Sequence, residues 1–154
     1  MEVKVQHLGN VKFAASARGH RVICDQPQDN GGTDAGMTPP EFLLVSLGTC
    51  VGFYAAKYLE TRKLSVDGLA VRVVADKALQ PARLAQFRIE LIVPGLDPAH
   101  EAGILRAAKA CLIHNTLVNA PAIETVLRTG PDTSPDTSND TIGIRAELAE
   151  TTRN

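Results

Sequence analysis

The chain has 154 residues, 44% hydrophobic and 21% charged, with a net charge of −1. That length supports one domain with a buried core, and the balance is ordinary for a globular protein. A near-neutral chain with no Trp and only 4% aromatics has neither the basic footprint nor the stacking platforms of a nucleic-acid binder.

The opening MEVKVQHLGN has no apolar run of the kind a secretory signal needs. The apolar run 42–56 is short for a bilayer span and contains Ser46, Thr49 and two glycines. A cytoplasmic protein with no membrane partner is expected. Three cysteines in such a chain read as core thiols, a redox pair or ligands, not as a disulfide framework.

In chain order, residues 2–6 and 12–17 read as strands joined at Gly9-Asn10. Arg18-Gly19-His20 is the next turn, and 21–25 a third strand. Residues 27–39 form a Gly-, Asp- and Asn-rich loop. Thr38, Pro39, Pro40 and Glu41 then make a strong helix start, and the helix runs to about residue 60. It is apolar nearly all round, so burial on most sides is expected. Gly48, Gly52 and Ala56 recur every four residues, a row that lets another element approach closely.

Two alternating strands follow, 69–76 with Leu69, Val71, Val73 and Ala75 on one face, and 87–93 with Phe87, Ile89, Leu91 and Val93 inward. Residues 77–85 connect them as a hairpin. Asp97 caps a second helix with Pro98 in its first turn, and Ile104, Ala107, Ala108 and Cys111 lie on one stripe of it. A weaker strand, 122–127, completes the fold. Residues 129–140 (TGPDTSPDTSND) read as a flexible linker, and 142–151 as a short docking element. This order gives an α+β protein, with a domain over 1–128 and a linker and tail over 129–154. A dimer sharing the long helix would cover its excess apolar surface.

Cys50 and Cys111 both sit on apolar helical stripes, and Leu43, Leu47, Phe53 and Tyr54 share the face of Cys50. Two helices on one sheet could bring the thiols together; core packing alone accounts for either cysteine equally well. A reactive Cys50 needs a cation, because burial disfavours the thiolate and the helix N-terminus is too far away to help. Arg18 and Arg21, beside a turn, are the candidates, since Lys57 lies two turns off. Cys24 reads as a core residue. Cys111 and His114 have the spacing of a metal pair, but the remaining histidines are scattered, so no metal and no other cofactor is expected. His114 could instead stabilise a thiolate at Cys111.

The string GHRVICDQP, followed by GMTPPEFLLVSLGTC, two long strands and AKACLIHNTL, resembles the OsmC/Ohr family over about residues 12–128. The resemblance implies an antiparallel-sheet α+β fold packed on a central helix, an intertwined homodimer, and reduction of organic hydroperoxides with a dithiol reductant. It implies Cys50 as the peroxidatic and Cys111 as the resolving cysteine, Arg18 as the activating arginine, with Arg21 as its substitute, and Glu41 as that arginine's partner. Glu41 precedes Cys50 by nine residues, about 13.5 Å and half a rotation, so it acts only across a dimer interface. GHRVICD looks more like a less-characterised branch of the family. Two other readings stand beside the peroxidase: a non-enzymatic dimer binding an apolar ligand, and a transferase with Cys50 as nucleophile.

Overall fold

The computed structural model describes residues 1–131. The described chain contains two compact units, one built on Met1–Thr38 and one on Pro39–Val126. The expected element 142–151, and the linker from 132 onward, lie outside the described residues.

The first unit is a three-stranded antiparallel sheet of β1 (Lys4–Gly9), β2 (Lys12–Ala17) and β3 (His20–Cys24), in that order. Both turns rest on left-handed backbone. Gly9 and Asn10 have φ of 114° and 49°, and Arg18 and Gly19 have φ of 51° and 79°. At Arg18-Gly19, the two residues between the paired Ala17 and His20, both φ values are positive, which gives a turn whose twist matches the flanking strands. Beyond β3, Asp25 is buried and organises the loop after it. One carboxylate oxygen accepts from the Gln26 amide at 2.9 Å. The other accepts from the Thr33 amide, the Thr33 hydroxyl and the Ala35 amide at 3.0, 2.8 and 3.1 Å. Burial pushes the Asp25 carboxyl up, but these four donors outweigh it and hold the group well below the usual carboxylate range.

The second unit begins with α1 (Pro39–Thr61), closed by Lys63 at φ 57°, where the Leu64 amide returns to the Leu59 carbonyl at 3.0 Å. A hairpin of β4 (Ala70–Leu79) and β5 (Ala82–Ile92) follows. Both strands run further than their sequence pattern indicates, so the connection is the pair Gln80-Pro81 and not 77–85. The Asp97 carboxylate accepts from the Ala99 amide at 2.8 Å, starting a 3-10 turn that leads into α2 (Glu101–Lys109). A short α3 (Leu112–Val118) comes next. The α+β class holds, with two antiparallel sheets and their helices.

Three expectations are corrected. The segment 122–127 is not a strand; Ile123, Val126 and Leu127 stand exposed without a pairing partner among the described residues. Cys111 does not lie on the second helix, which ends at Lys109. The long helix is buried along one stripe only, Leu47, Val51, Ala55 and Leu59, while Val45 and Phe53 on other sides are 41% and 63% exposed. By length and composition this 23-residue helix, longer than the run 42–56, could cross a bilayer; its buried stripe packs as in a core helix, with α1 lying against α2 and β4. The glycine row serves that packing: a Cβ on Gly48 would lie 3.1 Å from a Val73 methyl of β4, and one on Gly52 3.4 Å from a Val71 methyl.

Candidate functional site

The stripe spacing on α1 places Cys50 beside Leu47 and Val51, half-buried against the sheet. Cys111 arrives from the break between α2 and α3. Its backbone is extended, with φ −57° and ψ 132°, and its Sγ caps α3 by accepting from the His114 amide at 3.4 Å. Cys50 packs against the buried cluster that contains Cys111, so the two thiols are neighbours. Around them lie Leu47, Val51 and Ala108, with Tyr54, Phe87 and Ile89 packed against that cluster. Phe53, expected in this shell, instead turns outward, edge-on to Tyr54 at 5.5 Å between ring centroids.

Cys111 is fully buried. Burial pushes its thiol pKa up, and the neighbouring Cys50 thiol pushes the same way; the His114 and Ile113 amides pull against both. The thiol form of Cys111 is thus favoured, and Cys50 is the more accessible of the two.

A cavity of about 570 Å³ opens beside the pair, with Leu43, Leu47, Phe87 and Ile89 in its wall. Leu47, Phe87 and Ile89 also pack around the thiols, so cavity and thiol pair share side chains. Two bases, Arg83 and His114, complete the lining. Of the metal-pair spacing between Cys111 and His114, what the fold uses is the His114 backbone amide, and no group of three potential metal ligands gathers among the described residues.

Of the four expected site residues, Cys50 and Cys111 come together. Glu41 stands in the first turn of α1, exposed. Arg18 stands at the turn between β2 and β3 and Arg21 on β3, both exposed and both on the first unit, whereas the thiols belong to the second. Cys24 pairs with Phe13 across β2 and β3 and bridges to Met37. Sequence reasoning missed Asp25, whose signal was an Asp at a strand end before a Gly- and Asn-rich loop. It also missed Arg83, which carried no distinguishing signal within the presumed connection.

The sequence profile described as OsmC-like protein matches residues 31–126. No curated protein matches the chain. Among solved structures, a Psychrobacter arcticus protein named, provisionally, for an osmotic stress induced and detoxification response is 21% identical, with a TM-score of 0.68 over 74% of this chain and 85% of that one. An OsmC-like protein from Mycoplasma pneumoniae is 19% identical, with a TM-score of 0.66 over 77% and 87%. An organic hydroperoxide resistance protein, OsmC, from Legionella pneumophila is 13% identical, with a TM-score of 0.54 over 75% and 87%.

Proposed function

The chain belongs to the OsmC-like protein family, and from that premise we propose that it is a cytoplasmic, cysteine-dependent peroxidase that reduces organic hydroperoxides. The observation that carries the reading is the neighbouring pair Cys50 and Cys111, set in apolar surroundings beside a largely apolar cavity. The name of the Legionella relative points to the same substrate class.

In the proposed cycle the Cys50 thiolate attacks the O–O bond of ROOH. One oxygen stays on sulfur as a sulfenic acid, and RO⁻ leaves and takes up a proton to become the alcohol. The Cys111 thiol then attacks the sulfenic sulfur, forming a disulfide and releasing water. An external dithiol reduces that disulfide to the two thiols and is itself oxidised to a disulfide. Accessibility supports these roles: Cys50 is half-buried, and Cys111 is fully buried with a raised pKa. The cavity wall rewards an apolar tail by about 25 cal/mol per Å² buried, favouring alkyl or lipid hydroperoxides over hydrogen peroxide.

Activation of Cys50 is assigned to Arg18, or Arg21 in its place, held by Glu41 across a homodimer interface. The exposed Val45 and Phe53 on α1 give such an interface apolar surface to cover. Light scattering at micromolar concentration tests the dimer, and a monomer would remove the shared site. The cavity alone would also suit a non-enzymatic carrier of an apolar ligand. Consumption of cumene hydroperoxide with a dithiol reductant, by wild type and not by Cys50→Ser, separates the two; equal rates in both proteins would discard the peroxidase.

A further inference from the structure

We propose that the Cys111 sulfur is a redox-sensitive helix cap: as a thiol it holds α3 folded, and its entry into a disulfide with Cys50 releases α3 and uncovers the oxidised pair. The inference rests on the Cys50–Cys111 pairing of the peroxidase reading and concerns its reductive half.

α3 has little else to hold it. It is seven residues long and none of them is fully buried, whereas isolated helices shorter than about 12 residues are marginal in water. Its N-cap is no Ser, Thr, Asp or Asn but Cys111, whose Sγ accepts from the His114 amide at 3.4 Å. The backbone of Cys111 is tied on both sides. Its amide donates to the Ala108 carbonyl at 3.2 Å, and its carbonyl accepts from the Asn115 amide at 3.0 Å. The side chain is therefore what turns when the sulfur changes partner.

Disulfide formation makes it change partner. The Cys111 sulfur bonds to the sulfenic sulfur of Cys50, and the sulfenic oxygen leaves as water with the thiol proton. The bonded sulfur is uncharged, and disulfide geometry aims it at Cys50. The His114 amide, one of the orphan donors of the first turn, then loses its acceptor, and that turn frays. Ile113 gives the fraying a consequence. It lies in the same turn and packs against the cluster of Leu47, Val51, Ala108 and Cys111. As the turn loosens, Ile113 leaves the cluster, and the disulfide, buried on its Cys111 side, opens to an external dithiol. Reduction restores the thiol and with it the cap.

The test measures amide hydrogen exchange along residues 112–118 by NMR, with the disulfide made by diamide, an oxidant that needs no peroxidase activity. Diamide takes two electrons and two protons from the thiols and becomes a hydrazine, and peptide mapping confirms the bond. Exchange of the His114 amide should rise about 5-fold over the reduced protein, the effect of losing one N-cap, while amides of β4 and β5 do not speed up. Cys111→Ser keeps a capping atom and cannot form the bond, so its α3 should stay protected before and after diamide. Cys111→Ala should show the faster exchange with no oxidant; if it does not fold, the wild-type comparison decides alone. The switch is overturned if the disulfide leaves α3 as protected as in the reduced protein, if folded Cys111→Ala does so, or if diamide does not join the pair. Consumption of cumene hydroperoxide by the same protein would then leave the peroxidase standing. If diamide loosens α3 and no hydroperoxide is consumed, the switch stands and the peroxidase falls.

Discussion

Truncating Leu47 should cost less than truncating Leu59, although both are fully buried on the same stripe of α1, at 1% and 0% exposure. Each change to Ala removes three carbons, worth about 2.4 kcal/mol at about 0.8 kcal/mol per methylene. The second part of the cost is the void left behind, about 24 cal/mol per Å³. Leu47 lines the 570 Å³ cavity, so its removal enlarges a space that already exists. Leu59 packs among Ala55, Ile104, Tyr58 and Leu64 and does not line that cavity, so its removal leaves a new hole. Leu47→Ala should therefore destabilise by about 2.5 kcal/mol and Leu59→Ala by about 4 kcal/mol. Urea unfolding at fixed protein concentration reads the difference, provided the slopes agree. The corresponding falls in Tm are roughly 5–10 °C and roughly 8–16 °C. If Leu47→Ala costs as much as Leu59→Ala, the cavity beside the thiols is not open, and the pocket argument fails with it.

Asp25→Asn should lower the Tm at neutral pH, since one amide N–H₂ must then face a backbone donor. Because the folded Asp25 pKa is depressed, its contribution is complete above the unfolded carboxylate value of about 3.9 and is lost as pH falls toward the folded value. The Tm gap between wild type and Asp25→Asn should therefore narrow on acidification from pH 5, and a constant gap would contradict this. Cys111 titrates the other way: its raised thiol pKa gives a contribution complete below the unfolded value of about 8.5 and lost as pH rises above it. Wild type should lose stability between pH 8.5 and 10 more steeply than Cys111→Ala, with parallel curves counting against the assignment. One of Arg18→Ala and Arg21→Ala should slow alkylation of Cys50 by iodoacetamide; unchanged rates in both would end the activation role of the β2–β3 hairpin.

Where chain-local chemistry decides structure, the sequence was legible. β2 occupies the expected residues 12–17, and the Pro-Pro start of α1 and the Asp97 cap are where their signals lie. The inward faces of β4 and β5 follow the period-two pattern. The failures have a common cause, which is that the deciding partner is distant in sequence or lacks a local mark. The helical pattern runs on through Ala110 and Cys111 without a Gly or Pro, so nothing announced that Cys111 caps α3. The segment 122–127 has strand-like composition, but propensity describes fitness for a pleated surface and supplies no neighbour to bond. Tyr58 and His100 join α1 to the turn before α2 by a 3.2 Å hydrogen bond across 42 residues, which no local pattern reveals. The stripe carrying Cys50 was legible, while the break that places Cys111 at the start of α3 and the bases in the neighbouring cavity were not.

The central claim is that Cys50 and Cys111 act as one redox unit. Its most direct test is to add one equivalent of cumene hydroperoxide to the reduced protein and map the peptides by mass. A Cys50–Cys111 disulfide within a single chain is expected in wild type, because a sulfenic acid in contact with a thiol condenses before it oxidises further. In Cys111→Ser the expected product is Cys50 as the sulfinic or sulfonic acid, with turnover ending after one cycle. A disulfide from Cys50 to Cys24, or an unmodified Cys50 after excess hydroperoxide, would contradict the account.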